Sequence, residues 1–306
     1  MRRTASGLAV RDRGCQTFLM TRTLATICLT IAVLLGSAGL SASADFQKGL
    51  TAYKDKDYAT ALREWTPLAE QGNAIAQKNI GWIYEKGLGV AVDYTTALQW
   101  YKRAGEQGDA KALNNIGRMH GKGMGVTQNF KIAVKYYRLA AEQGDALAQF
   151  NLGIMYAQGQ GVSKSYETAA KWYRLAAEQG SPFAQHNLGK LYVDGHLGWK
   201  IRDDYEYDSS SSDSPNYEMA AKWYKLAAEQ GFAPSQQNLA AMYAFGKGVP
   251  KNYTTAFMWA YASSMKGNQN GSKLRRFLRL KALSSAEHFN AMKLARECVL
   301  KKYKGC

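Results

Sequence analysis

The sequence predicts an all-α protein, a right-handed superhelical α-solenoid of helix-turn-helix repeats with a period of 36 residues. Three regularities predict it: a recurring Glu-Gln-Gly tripeptide, an aromatic residue that opens each unit, and a helix-capping residue before that aromatic residue. The tripeptides begin at Glu70, Glu106, Glu142, Glu178 and Glu229, with gaps of 36, 36, 36 and 51 residues. The opening aromatic residues are Tyr58, Tyr94, Phe130, Tyr166, Tyr217 and Tyr253.

The first half of each unit predicts one helix, helix A. Its capping residues have short side chains that can accept from unpaired N–H groups of the first turn. They are Asp57, Asp93, Asn129, Ser165, Asn216 and Asn252. An alanine follows three residues after the aromatic residue, and bulky rings follow at six and seven residues, which predicts one apolar stripe. The glycine of Glu-Gln-Gly is expected to end the helix in the left-handed conformation.

The second half of each unit predicts helix B. Its caps are Asn73, Asp109, Asp145 and Ser181. Four units carry a glycine in the middle of this helix, namely Gly81, Gly117, Gly153 and Gly189. A glycine inside a helix costs roughly 1 kcal/mol relative to alanine. We therefore expect a close approach between each helix B and helix A of its own unit.

The repeats do not fill the whole chain. The one long gap, 15 residues over the period, coincides with an acidic, serine-rich stretch and predicts an insertion at about 199–215. The segment from Phe46 to Lys54 predicts an unpaired leading helix. Beyond Ala262 the pattern decays, and two basic helices, near 272–281 and 285–303, are expected. We place the solenoid at 45–267 and a basic helical C-terminal cap at 268–306.

The N-terminal segment, residues 1–44, has the three parts of a secretory signal peptide. A short basic start follows Met20, an apolar run extends from Leu24 to Leu40, and small residues lead to Ala44. Met20 is an alternative start of the chain. The competing interpretation is an uncleaved anchor helix, although 17 residues with polar interruptions are marginal for a layer of roughly 30 Å. Export to the periplasm or beyond is the prediction.

Removal of residues 1–44 would leave two cysteines, Cys298 and Cys306. Oxidising compartments favour pairing, so one disulfide near the C-terminus is predicted, with two free thiols as the alternative. The remaining chain would carry 35 basic and 23 acidic residues, a net charge of +12.

The repeated residues resemble Sel1-like repeats, which are relatives of the tetratricopeptide repeat. The resemblance is carried by segments such as Ala169-Ala-Lys-Trp-Tyr-Arg-Leu-Ala-Ala-Glu-Gln-Gly and by the Gly-x-Gly-Val loops, and it covers most of 45–267. It implies a superhelical scaffold that engages other proteins, as in bacterial exported regulators, exopolysaccharide assembly and host-contact factors. Some cysteine-rich relatives look like penicillin binders, but the paired cysteines of those repeats are missing here.

No motif for catalysis emerges, so no catalytic residue, metal ligand or cofactor is predicted. The four histidines, His120, His186, His196 and His288, form no HExxH or Cys/His cluster. The sequence Gly121-Lys-Gly-Met-Gly lacks the spacing of a phosphate loop and recurs as a connector between repeats.

Two groups of cations are candidates for partner binding. The first is a ladder on successive helices A, formed by Lys102, Lys135, Arg138, Lys171, Arg174, Lys222 and Lys225. The alternative is a solvated face, because Arg138, Arg174 and Lys225 each precede a glutamate by four residues and pairing at that spacing would neutralise much of the charge.

The second group lies in residues 266–306, which hold eleven Lys or Arg and two Glu, a net charge of +9. Its densest part comprises Lys273, Arg275, Arg276, Arg279 and Lys281. This segment predicts either a polar cap on the solenoid or a contact with an acidic protein or the anionic envelope surface. Nucleic acid is not an expected partner outside the cytoplasm.

The function predicted is that of an exported, monomeric, non-enzymatic scaffold for a protein or peptide partner, of acidic character, as an envelope regulator or assembly adaptor. Two alternatives are an enzyme that binds cell-wall fragments or β-lactams, and a protein that binds the envelope surface through its basic end alone.

Overall fold

The computed structural model describes residues 44–196 and 215–306, and in those ranges it contains α-helices and one short π-helix but no β-strand. The predicted signal peptide, apart from Ala44, and the predicted insertion, apart from Pro215, lie outside the described residues. The all-α prediction is confirmed for the described part of the chain.

Within 44–196 and 215–306, a leading helix α1 precedes six helix pairs, which we number repeats 1 to 6. Helix α1 is Phe46–Lys54, with the bounds predicted for it. The helices A are α2 (Tyr58–Glu70), α4 (Tyr94–Glu106), α6 (Phe130–Glu142), α8 (Tyr166–Glu178), α10 (Tyr217–Glu229) and α12 (Tyr253–Met265). The helices B are α3 (Ala74–Lys86), α5 (Ala110–Lys122), α7 (Ala146–Gln158), α9 (Pro182–Val193), α11 (Ala233–Phe245) and α13 (Gln269–Phe277).

Capping side chains set where these helices begin. All six predicted caps of helices A accept a hydrogen bond from the backbone N–H three residues later. The four predicted caps of helices B do the same. Repeat 5 differs, because Phe232 stands at its cap position and makes no such bond. Glycines such as Gly144, at φ 89°, follow the ends of helices A as predicted.

In repeats 1 to 5, helix B makes its close contact with helix A of the next repeat, and this corrects the expectation that it would be with its own. A Cβ atom at Gly81 would lie 2.8 Å from the ring of Tyr101, and one at Gly117 would lie 2.7 Å from the ring of Tyr137. The helices B of repeats 1 to 5 also pack more extensively on the following helix A than on their own. The glycines therefore join neighbouring repeats and do not close single hairpins.

The core follows the predicted stripe of helix A. The alanine three residues after the opening aromatic is fully buried in every repeat: Ala61, Ala97, Ala133, Ala169, Ala220 and Ala256. Rings at the seventh position, such as Tyr101 and Tyr173, are buried. Rings at the sixth position, such as Trp172 and Trp223, are half-buried. In repeats 2 to 5 the stripe is therefore centred on the seventh position, and the sixth lies at its edge.

The C-terminal end departs from the repeat. Helix α13 passes into a π-helix at Leu278–Ala282, and α14 follows at Ser285–Leu300. A capping box starts α14, because Ser284 and Glu287 exchange side-chain and backbone hydrogen bonds. Helix α14 packs on α12 through buried residues that include Ala291, Ala295 and Cys298.

Candidate partner-binding surface

The predicted ladder occupies two fixed positions of helix A. Lys135, Lys171 and Lys222 stand five residues after the opening aromatic of α6, α8 and α10. The eighth position holds Lys102, Arg138, Arg174 and Lys225. All seven side chains are exposed except that of Arg174, which is half-buried. Because both positions fall outside the buried stripe, the same side of each helix A presents its cations to solvent.

The two arginines of the ladder bind tyrosines, and not the glutamates four residues later that the sequence suggested as their partners. Nη2 of Arg138 donates to the hydroxyl of Tyr156 at 2.8 Å, and Nη2 of Arg174 donates to the hydroxyl of Tyr192 at 3.2 Å. Of the three expected pairs with a glutamate four residues on, the described residues contain Lys225 with Glu229, at 3.9 Å. Tyrosines of helix B therefore anchor these two guanidinium groups, and their charge is not neutralised locally.

The tyrosine partners differ in burial. Tyr192 is fully buried, and burial raises the pKa of its hydroxyl. A neutral hydroxyl in this place accepts from Arg174 without cancelling its charge. The remaining N–H groups of the guanidinium are the ones available to an anion, since Arg carries five donors in a fixed plane.

A row of leucines beside the cations was missed in the sequence. Leu139, Leu175 and Leu226 stand at the ninth position of α6, α8 and α10 and are 41%, 41% and 45% exposed. The repeated residue at one position in three successive helices was the signal that could have revealed them. Arginine is enriched in protein interfaces, and the exposed leucines beside it add apolar surface that a partner can bury.

The histidines occupy packed sites. The ring of His186 contacts Ser235 Oγ through Nδ1 at 2.9 Å, and burial lowers the pKa of His186 to about 4. His196 stacks on Tyr166 with ring centroids 3.7 Å apart. No group of three or more His, Cys, Asp or Glu side chains with metal-binding geometry occurs within 44–196 and 215–306.

Further along the chain, Cys298 and Cys306 are placed as a disulfide pair with Cα atoms 5.6 Å apart. The cations predicted as the densest basic part lie on α13 and the π-helix, where Arg275 stacks over Tyr261 at 5.6 Å. Among the helices of the described ranges, none is both long enough and apolar enough to cross a membrane.

Helix pairs that pack consecutively along the chain, each on the next, define an α-solenoid protein. The Sel1 repeat model matches residues 74–109, 110–145, 146–181, 182–232 and 233–268, and the chain belongs to this family. Each matched unit joins a helix B to the following helix A, in agreement with the packing through the glycines. Sel1 repeat proteins generally mediate protein–protein interactions.

One solved structure supports the same assignment. A Sel1 repeat protein from Oxalobacter formigenes is 33% identical, with a TM-score of 0.65 over 81% of this chain and 94% of that chain. A protective antigen present in uropathogenic Escherichia coli strains is 26% identical, with a TM-score of 0.47 over 84% of this chain and 68% of that chain. No curated protein sequence matched the chain.

Proposed function

We propose that this protein is an exported repeat scaffold that binds an acidic protein or peptide along helices α6, α8 and α10, and that it has no catalytic activity. The observation that carries the proposal is the register of the charges. Cations at the fifth and eighth positions recur in three successive helices A, beside exposed leucines at the ninth. A partner that extends along α6, α8 and α10 would meet the same arrangement of cations and leucine on each of the three helices.

The anchored arginines favour binding over mere solubility. A guanidinium fixed by a tyrosine hydroxyl loses less conformational freedom when a carboxylate arrives, which lowers the entropic cost of association. Arg138 and Arg174 are fixed in this way. Ion pairs between the exposed cations of the ladder and the carboxylates of a partner would be screened by salt, since the Debye length is about 8 Å at physiological ionic strength.

The domain organisation proposed is a signal peptide at 1–44, the solenoid at 45–267 and the basic cap at 268–306. The placement of Cys298 and Cys306 supports a disulfide in an oxidising compartment such as the periplasm. We propose that the protein acts there as a monomer, in the role of an envelope regulator or assembly adaptor.

The test is affinity capture from envelope extract with the tagged intact protein at low and high salt. The ladder variant carries Lys135→Glu, Lys171→Glu and Lys222→Glu. A matched control carries Lys111→Glu, Lys122→Glu and Lys190→Glu, which changes the net charge equally at exposed positions on helices B. We expect one dominant protein, identified by mass spectrometry, that high salt and the ladder variant release and the control retains.

Three outcomes would contradict the proposal. Capture that is equal for both variants would show that net charge, not the ladder, selects the partner. Recovery of lipid or wall polymer alone would favour the envelope-surface alternative. Covalent labelling of the pure protein by a fluorescent penicillin would favour the enzymatic one.

A further inference from the structure

The C-terminal end contains two adjoining cavities that lie apart from the helices of the ladder. One, of about 680 Å³, runs along α14 and is lined by residues that include Phe289, Lys293 and Leu300. The other, of about 790 Å³, lies between α12 and the π-helix. Both are lined by Arg279, His288 and Met292, so they adjoin each other, and we call the two together the C-terminal groove.

One face of α14 forms the floor of the C-terminal groove. Phe289, Lys293, Arg296 and Leu300 follow each other at intervals of four, three and four residues, which places them in a single row along the helix. The residues of α14 that are buried against α12 lie on the opposite face. The row runs over twelve residues, and its eleven steps of 1.5 Å give a length of roughly 16 Å, or about three helical turns.

The chemistry of the groove is mixed. Phe289 and Leu300 are 72% and 82% exposed, which is a high exposure for large apolar side chains. Arg279, Lys293 and Arg296 form no ion pair within 4 Å in the part of the chain that the structure describes.

The acidic groups nearby are fewer than the cations. Glu297 also lines the groove and is half-buried. Glu287 is occupied by the hydroxyl and N–H of Ser284. The groove therefore offers apolar contact together with a net positive charge.

This arrangement fits a protein helix better than a lipid surface. A helix that lies in a membrane interface separates its apolar face from its charged face. Along α14, however, Lys293 and Arg296 lie between Phe289 and Leu300 in the same row. Insertion of the apolar side chains into lipid would carry the two charges with them. A concave site of three turns matches the way in which an amphipathic helix is bound in a groove.

We propose that the C-terminal groove binds an acidic amphipathic helix of about three turns from a partner protein. The apolar side chains of that helix pack on Phe289, Met292 and Leu300, and its carboxylates pair with Arg279, Lys293 and Arg296. This site is separate from the ladder on α6, α8 and α10, and it stands or fails independently of the function proposed for that surface.

The test uses a displayed library of random 14-residue helical peptides, selected on the intact protein and measured as labelled peptides by fluorescence anisotropy. The groove variants are Arg279→Glu with Arg296→Glu, and Phe289→Ser. The charge-matched control is Lys111→Glu with Lys122→Glu, two exposed positions on α5 that belong to neither the ladder nor the groove. Circular dichroism melts verify that each variant folds, which is expected because the substituted side chains are exposed.

We expect selected peptides with glutamates beside an apolar stripe of helical spacing. Their affinity falls at least tenfold in both groove variants and changes less than twofold in the control. The proposal is overturned if no sequence is enriched, or if enriched peptides lack acidic residues or bind the groove variants equally. It is also overturned if phosphatidylglycerol vesicles bind the intact protein through the same residues while the peptides do not, because the site would then serve a lipid surface.

Discussion

The junction between repeats 1 and 2 and the junction between repeats 3 and 4 share one packing arrangement but differ in what completes it. In the first, Gly81 receives the ring of Tyr101, and in the second, Gly153 receives the ring of Tyr173. One turn after these glycines, helix B carries the buried Glu85 in repeat 1 and an alanine in repeat 3.

The tyrosine hydroxyls consequently find different partners. The hydroxyl of Tyr101 donates to Glu85 at 3.1 Å, and the same carboxylate contacts Arg118 of α5 and, at 2.7 Å, Lys86. Burial alone would raise the pKa of Glu85, but the bonds from Arg118 and Lys86 outweigh it and hold that pKa below its ordinary value. The hydroxyl of Tyr173 faces the neutral amide of Asn187 instead, and burial raises its pKa to about 12.

This difference shows that the repeat determines where the tyrosine ring packs but not which residue forms the hydrogen bond with its hydroxyl. An ion pair is not required for the backbone arrangement, because repeats 3 and 4 form it without one. Once charges are buried, however, each must keep its partner, since an uncompensated buried charge is costly. The charged junction is therefore the more fragile of the two.

The largest expected effect is that of Glu85→Ala. This change leaves the guanidinium of Arg118, whose side chain is 19% exposed, beside Tyr101 without a counter-charge. Breaking a buried pair by removing one partner costs about 3 kcal/mol or more of folding free energy. Denaturant unfolding followed by circular dichroism measures the loss.

The matched control for this change is Glu85→Ala combined with Arg118→Ile, which installs the residues that repeat 3 carries as Ala157 and Ile154. Removing both charges is expected to restore most of the lost stability. A double variant as unstable as the sum of the two single changes would mean that packing, and not the ion pair, sets the cost.

Within the repeats, most helix starts and ends could be predicted from the sequence because local chemistry determines them. The helix expected near 272–281 is an exception, since it begins at Gln269 and continues as a π-helix after Phe277. A capping side chain and a glycine act within one turn, so their positions predict both boundaries. The partner of each mid-helix glycine was not accessible in this way. A glycine indicates that another chain segment approaches closely, but Gly81 does not itself say whether Tyr101 or its own hairpin is that segment.

For the candidate surface, the sequence predicted the positions of the cations but not their contacts. Periodicity located the cations, because residues at one position of a repeat lie on one side of each helix. The anchoring of Arg138 by Tyr156 spans 18 residues and two helices, and only the folded structure brings these groups together. A pair of opposite charges four residues apart in one helix can be recognised from the sequence alone. For this reason Glu142 was the expected partner of Arg138.

The second effect in size concerns pH and the junction between repeats 4 and 5. His186 has a pKa of about 4 in the folded chain, against 6.5 ordinarily, because of burial first and the charge of Lys190 second. Between these values the unfolded chain takes up the proton more readily, so stability is complete above pH 6.5 and declines as the pH falls towards 4. The decline amounts to up to about 3 kcal/mol.

The comparison variant is His186→Asn, which places at this position the residue that repeat 2 carries as Asn114. Unfolding is measured from pH 7.5 to 4 for both proteins. As the pH falls below 6.5, the protein with His186 should lose free energy of unfolding through this residue, and the variant, which lacks the titrating ring, should not. The difference between their free energies of unfolding should therefore narrow. Parallel curves over the whole range would show that His186 is protonated equally in the folded and unfolded chains.

The smallest effect distinguishes the two roles that a helical glycine has here. At Gly153 a new Cβ would lie 2.6 Å from the ring of Tyr173, whereas at Gly121 its nearest neighbour would be Ala133 Cβ at 3.5 Å. Gly153→Ala is expected to cost about 1–2 kcal/mol, because overpacking exceeds the gain in helix propensity. Gly121→Ala lacks the clash and is expected to stabilise by about 0.5–1 kcal/mol. Opposite signs in thermal unfolding would support close packing between repeats as the reason for Gly153, and a stabilising Gly153→Ala would contradict it.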